Sequence, residues 1–167
     1  MCYTSIMENV EKIVENLIKT LSKRNQTVSF AESCTGGRIA TAFTAVSGSS
    51  AILHGSCVTY ANEIKEQWLG VPREILETKG AVSKECVEYM LAGMEKMAAS
   101  DYTLAVSGIA GPTGGTEFKP VGTVYIGLRT PAGKNEVHHC LFKGERHQVQ
   151  EQATAFAIEL LEKKLIS

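Results

Sequence analysis

The chain has 167 residues, 17 basic and 18 acidic side chains, and a formal net charge of −1. That length reads as a single domain, residues 1–167, able to bury a core without disulfide staples. A composition 44% hydrophobic and 21% charged excludes a disordered chain, and the balanced charge argues against a general polyanion binder. Five cysteines (Cys2, Cys34, Cys57, Cys86 and Cys140) are scattered without a CxxC pair and fit no zinc module. They read as reduced thiols of a cytoplasmic protein. Acidic residues begin at Glu8, so no signal pattern is read. No apolar run reaches the roughly 18 residues that a membrane span requires.

Val10, Ile13, Val14, Leu17, Ile18 and Leu21 form one apolar helical stripe. It ends near Lys23-Arg24-Asn25, cations followed by a residue that tolerates a left-handed cap. Thr27 to Glu32 alternates, Val28 and Phe30 against Ser29 and Glu32, and predicts a strand. Gly36-Gly37 then opens a helix of small residues to about Val46. Ile52–Ala61 predicts a second strand. A short helix follows from Asn62, its cap, to Leu69 and stops at Gly70; Pro72 starts another at a first-turn position. Ser83 is the expected N-cap of the next helix, whose core stripe is Val87, Met90, Leu91, Met94 and Met97. Tyr102–Val106 is a continuous apolar strand. Val121–Leu128 and Glu136–Phe142 are two more, joined at Pro131-Ala132-Gly133-Lys134. A last helix spans about Glu145–Lys164, with Val149, Ala153, Phe156, Ala157, Leu160 and Leu161 inward. Helices alternating with strands, plus a C-terminal hairpin, predict a three-layer α/β/α sandwich on a mixed, mostly parallel sheet.

Three segments depart from plain core patterning. In Ala31-Glu32-Ser33-Cys34-Thr35-Gly36-Gly37, a buried strand ends in hydroxyl and thiol residues and two glycines open a helix. Ligands in open α/β sheets gather at the carboxyl ends of strands. A helix N-terminus there offers N–H groups to an anion or to an oxyanion beside a nucleophile. The same residues read equally as a cap, with Ser33 or Thr35 serving the helix end. In Thr59-Tyr60-Ala61-Asn62-Glu63-Ile64-Lys65, Tyr60 and Lys65 could both point over the sheet edge. Burial would suit Lys65 to act as a general base; the alternative is a surface helix with Glu63, Lys65 and Glu66 solvated. The third segment, Ser107 to Gly122, packs five of the fifteen glycines and two of the four prolines into sixteen residues after a buried strand. Such loops usually carry function, and glycine lets backbone N–H groups approach a phosphate or carbonyl closely. It matches neither GxGxxG nor GxxxxGK[ST].

His54, His138, His139 and His147 do not cluster with acids or cysteines, and His138 and His139 face opposite ways on a strand. No metal or other cofactor is expected. Ser33 with Lys65 is therefore the economical activated nucleophile. Cys34 is a rival that also reads as a small buried hydrophobe.

Together and in order, AESCTGG at 31–37, GSS at 48–50, VTYANEIK at 58–65, LGV at 69–71, GAVS at 80–83, SGIAGPTGG at 107–115 and KPVGTVY at 119–125 resemble the C-terminal domain of the competence-damage-inducible CinA family. The likeness spans residues 10 to 163. The stand-alone members of that family are nicotinamide-nucleotide amidohydrolases. The resemblance implies the same three-layer fold, no cofactor, and hydrolysis of the carboxamide of nicotinamide mononucleotide to the acid and ammonia. It also implies a homo-oligomer. Carried onto this chain, it implies Ser33 as nucleophile, Lys65 as base and Tyr60 assisting. Thr35, Gly36, Gly37, Asn62, Ser107, Gly108, Gly111, Gly114 and Gly115 would cradle the substrate, and Arg146 would contact phosphate or brace the site. Thr113 stands where the family usually carries Asp, and Glu145 replaces another Asp. The larger N-terminal nucleotide-hydrolysing domain of full-length members is not seen, so that activity is not expected. The competing reading is a non-catalytic nucleotide-binding or interaction module; a nucleic-acid-binding domain is the weakest, since Lys23-Arg24 and Lys163-Lys164 are helix-end pairs that suit the dipole.

Overall fold

A computed structural model describes residues 3–167; Cys2 lies outside them. The order of elements is α1 (Tyr3–Arg24), β1 (Val28–Glu32), α2 (Arg38–Thr44), a 3-10 turn (Ser49–Ala51), β2 (Leu53–Val58), α3 (Asn62–Leu69), α4 (Arg73–Thr78), α5 (Lys84–Ala98), β3 (Tyr102–Gly108), β4 (Thr123–Arg129), β5 (Asn135–Leu141) and α6 (Arg146–Ile166). Asn25 takes the left-handed conformation beyond α1 with φ 53°, as its place after Lys23-Arg24 predicts. Ser83 caps α5, its hydroxyl accepting from the Cys86 N–H.

The sheet order is β2-β1-β3-β4-β5. β1 pairs in parallel with β2 and β3, while β3–β4 and β4–β5 are antiparallel. Four strands thus run one way and β4 alone opposes them. Strand alternation divides the core. Val28, Phe30, Leu104, Val106, Val124, Ile126 and Leu128 face α1, α2 and α6. Ala31 and Ala105 face Leu69, Leu76, Val87, Met90 and Leu91 on α3, α4 and α5. The result is the three-layer sandwich. Because both faces are covered, Ser29, opposite Val28 and Phe30, is buried rather than solvated; Glu32, expected opposite them, lies two residues beyond Phe30 on the same face and is buried against α2.

Several expectations need correction. The helix after Gly36-Gly37 begins only at Arg38, because both glycines sit at positive φ (60° and 97°), outside helical space. β2 ends at Val58, so Tyr60 lies beyond the strand and is 63% exposed. Ala61, not Asn62, is the N-cap of α3, and no side chain caps it. Met97 is 53% exposed; after Met94 the core face of α5 continues through Ala98, which packs on the core, and Met97 falls outside it.

The chain passes from β1 outward to β2, then crosses back to β3 on the other side of β1. Connections at the carboxyl ends of β1 and β3 therefore diverge, which opens a crevice there. The neighbouring α3 is held close to α5 at Gly93, where a Cβ would drive into the Leu69 carbonyl. Helix propensity alone favours Ala over Gly by about 1 kcal/mol, whereas overpacking costs about 3 kcal/mol. Gly93→Ala is therefore expected to lose about 2 kcal/mol net and lower Tm by about 6 °C, as a calorimetric melt would read.

Candidate active site

Ser33 follows β1 directly, in the turn made left-handed by Gly36 and Gly37, and is nearly buried. Lys65 lies on the first turn of α3. Glu63 and Glu66 beside it turn outward or stand at the rim, while Lys65 turns inward and is 1% exposed. The surface-helix alternative thus fails for Lys65. Its Nζ lies 3.0 Å from Ser33 Oγ, 2.6 Å from the Thr59 carbonyl and 3.0 Å from the Tyr60 carbonyl. Burial pulls the amine below the ordinary lysine range, opposed by the nearby thiols of Cys86 and Cys34. Desolvation acts this way because it penalises the charged form.

Three oxygens around Nζ match the three donors of an ammonium. Once the amine loses a proton, the two carbonyls can hold its remaining N–H groups and the lone pair can turn to the Ser33 hydroxyl. Cys34 is buried beside it, and desolvation pushes its thiol up to about 12. It therefore holds no thiolate near neutral pH, and the hydrophobe reading of Cys34 is the one that the burial supports.

A cleft of about 300 Å³ opens over the pair. Of the residues singled out in the sequence, Ser33, Lys65, Tyr60, Asn62, Ser107, Gly108, Gly111, Gly114 and Arg146 line it, together with Cys34 and Thr113. Thr35, Gly36, Gly37 and Gly115 do not. Thr35 is fully buried and gives its hydroxyl to Glu32 at 2.7 Å. The Gly36 N–H closes the turn onto the Ser33 carbonyl at 3.0 Å. Gly37 faces Val58, and Gly115 packs on the backbone of Val121.

The N-terminus of α2 is not free for an anion either. The Glu32 carboxylate accepts from the N–H groups of Ile39 (3.0 Å) and Ala40 (3.1 Å). A fixed internal negative charge thus takes the place that an anionic ligand would have filled.

Arg146, the first residue of α6, donates to the Gly111 carbonyl at 2.7 Å and to the Tyr60 hydroxyl at 3.1 Å. It straps the glycine-rich loop to the segment after β2. Tyr60 reaches Lys65 through its carbonyl, while its phenol faces Arg146. Two residues escape a reading by motif. Gln150 on α6 donates to the Cys34 carbonyl at 3.0 Å, and Glu32 gathers four donors. Glu32 lies inside the AESCTGG stretch, but that motif assigns it no role; within α6, nothing in the sequence separates Gln150 from its solvated neighbours.

The sequence model of the CinA C-terminal domain matches residues 10–165. The CinA-like protein of Fervidobacterium nodosum is 47% identical over 146 residues, which is 87% of this chain and 36% of that protein. The CinA-like protein of Endomicrobium trichonymphae is 48% identical over 149 residues, 89% of this chain and 35% of that one. The chain thus spans about a third of the length of these curated relatives. The nicotinamide-nucleotide amidohydrolase PncC of Escherichia coli (strain K12) is 45% identical over 150 residues, covering 90% of this chain and 91% of that enzyme. Among solved structures, the competence/damage inducible protein CihA from Agrobacterium tumefaciens matches with a TM-score of 0.91 at 36% identity, over 95% of this chain and 96% of that one. With the family model matching residues 10–165 and relatives 45–48% identical over about nine tenths of its length, the chain belongs to the CinA C-terminal domain family.

Proposed function

We propose that residues 1–167 form one amidohydrolase domain that removes ammonia from nicotinamide mononucleotide in pyridine nucleotide salvage. The single observation that carries this reading is the buried Lys65 amine 3.0 Å from the Ser33 hydroxyl at the floor of the cleft. The 45% identity to the Escherichia coli amidohydrolase supports the substrate class.

In the reaction, neutral Lys65 takes the Ser33 proton as Oγ attacks the carboxamide carbon. The cationic pyridinium ring draws electrons from that carbon and eases the attack. The tetrahedral oxyanion is assigned to backbone N–H groups of the lining Cys34, Ala110 and Gly111, in place of the Gly36 N–H already used in the turn. Lys65 returns the proton to the departing nitrogen, which leaves as ammonia. Water, deprotonated by the same amine, then attacks the acyl-serine carbonyl. The pyridine carboxylate departs and Ser33 recovers its proton. Arg146, cationic at the rim, suits the phosphate end of the substrate.

Ser33→Ala is expected to abolish ammonia release while keeping a cooperative melt. Lys65→Met should lower kcat by about 10³-fold, within the range of a lost general base. Undiminished turnover in either variant sinks the assignment.

A protonated Lys65 has no lone pair, so activity must rise with pH through its ionisation. Burial lowers that ionisation. The rate is thus expected to climb about tenfold per pH unit on its acid limb and to level off below the ordinary lysine value of about 10.4. A pH–kcat/KM profile that is flat, or that falls across this limb, would refute a lysine base.

Iodoacetamide should leave turnover intact, because the Cys34 thiol at about 12 supplies almost no thiolate at pH 8. Rapid inactivation traced by mass spectrometry to Cys34 would favour the cysteine instead.

A further inference from the structure

Glu32 stands immediately before the proposed nucleophile, is 0% exposed, and has no part in the reaction scheme. Its Oε1 accepts from Thr35 Oγ1 at 2.7 Å and from the Ile39 N–H at 3.0 Å. Its Oε2 accepts from the Ala40 N–H at 3.1 Å and from Ser56 Oγ at 3.3 Å. Four donors, from the turn, the start of α2 and strand β2, thus converge on one buried carboxylate. Burying a charge is costly unless it is compensated, and here hydrogen bonds and the positive end of α2 provide the compensation.

The backbone of the same residue serves the other half of the site. The Thr59 N–H donates to the Glu32 carbonyl at 2.9 Å, and the Thr59 carbonyl accepts from Lys65 Nζ at 2.6 Å. Glu32 therefore touches the segment that carries the nucleophile and the segment that holds the base, and it lines no part of the cleft.

We propose that Glu32 is a positioning residue for the Ser33–Lys65 pair. Its carboxylate clamps the turn of residues 33–37 onto α2 and β2, and so keeps Ser33 Oγ within hydrogen-bond reach of Lys65 Nζ. The inference rests on the serine–lysine reading above. An amide cannot replace the carboxylate. Each oxygen receives a backbone N–H, so the NH₂ of glutamine would meet one of them donor to donor. Asp would fall one methylene short. A misplaced nucleophile costs rate rather than binding, because the rest of the lining, Asn62, the glycine-rich loop and Arg146, is left in place.

The test uses the full chain and two readouts. One is the rate at which a fluorophosphonate probe labels Ser33, located by mass spectrometry; the other is steady-state ammonia release from nicotinamide mononucleotide. For Glu32→Gln, labelling and kcat are expected to fall together by about 10- to 100-fold, with KM within threefold of wild type. Thr35→Val removes one donor to Oε1 and should slow labelling several-fold; it decides the matter if Glu32→Gln does not fold. Asp101→Ala deletes the bond to the Thr27 N–H (2.8 Å) at the opposite end of the sheet and should melt earlier yet label at the wild-type rate.

A folded Glu32→Gln that labels as fast as wild type overturns the proposal, as does an Asp101→Ala chain slowed equally, since that would mark mere loss of stability. Labelling does not depend on the substrate. Wild type that labels at Ser33 but releases no ammonia defeats the substrate assignment while the labelling ratio still judges Glu32. Wild type that does not label at Ser33 overturns both.

Discussion

The arrangement of this molecule depends on one buried amine. Lys65 is nearly inaccessible to solvent, and an ammonium there would be costly to desolvate. Three oxygens around Nζ compensate, two of them carbonyls of the segment just before its own helix. That geometry requires α3 to lie close against its neighbour in the same layer, α5. The requirement is met at Gly93 of α5, where only a hydrogen fits beside the Leu69 carbonyl. A missing side chain on one helix thus sets the depth of a functional side chain on the next.

The opposite end of the pair obeys a different constraint. A helix start beside a nucleophile usually offers its dipole and N–H groups to a ligand. Here the two N–H groups of Ile39 and Ala40 are already given to Glu32. The positive end of α2 is therefore matched from inside the protein. Among the described residues no Asp or Glu borders the cleft, and its outer cation, Arg146, is partly occupied with Gly111 and Tyr60.

Much of this was legible in the sequence, for reasons that differ by residue. The α1 stripe, the Ser83 cap and the left-handed Asn25 follow from local chemistry, and local chemistry decided them. The crevice follows from topology, since Ser33, Tyr60 and Gly108 each sit at the end of a strand pointing the same way. What local patterning could not show was burial set by distant partners. Lys65 between Glu63 and Glu66 has the sequence of a solvated turn, and only the packing of α3 on α5 turns it inward. Glu32 shares the strand face of Val28 and Phe30, but a charged residue there gives no local sign of the α2 N–H groups that receive it. Met97 errs the other way: its spacing fits the apolar stripe of α5, but the last turn of that helix puts Ala98 inward and leaves Met97 outside. The turn glycines, attractive as ligand contacts, are used for the shape of the chain and for its own hydrogen bonds.

The strap made by Arg146 carries a kinetic consequence. Its bond to the Tyr60 hydroxyl closes a loop of 86 positions, and β1 pairs with β3 through residues 74 positions apart. Loops of that size close late, because their entropy must be lost before any contact repays it. Helices α1 and α5 close their own backbone hydrogen bonds, but distant elements cover their apolar faces: α6 for α1, and β1, β4 and β5 with β3 for α5. The cleft depends on the same long-range closures. Partly folded chains would hold much of the secondary structure and none of the chemistry, so the site matures only with the long-range order of the whole sheet.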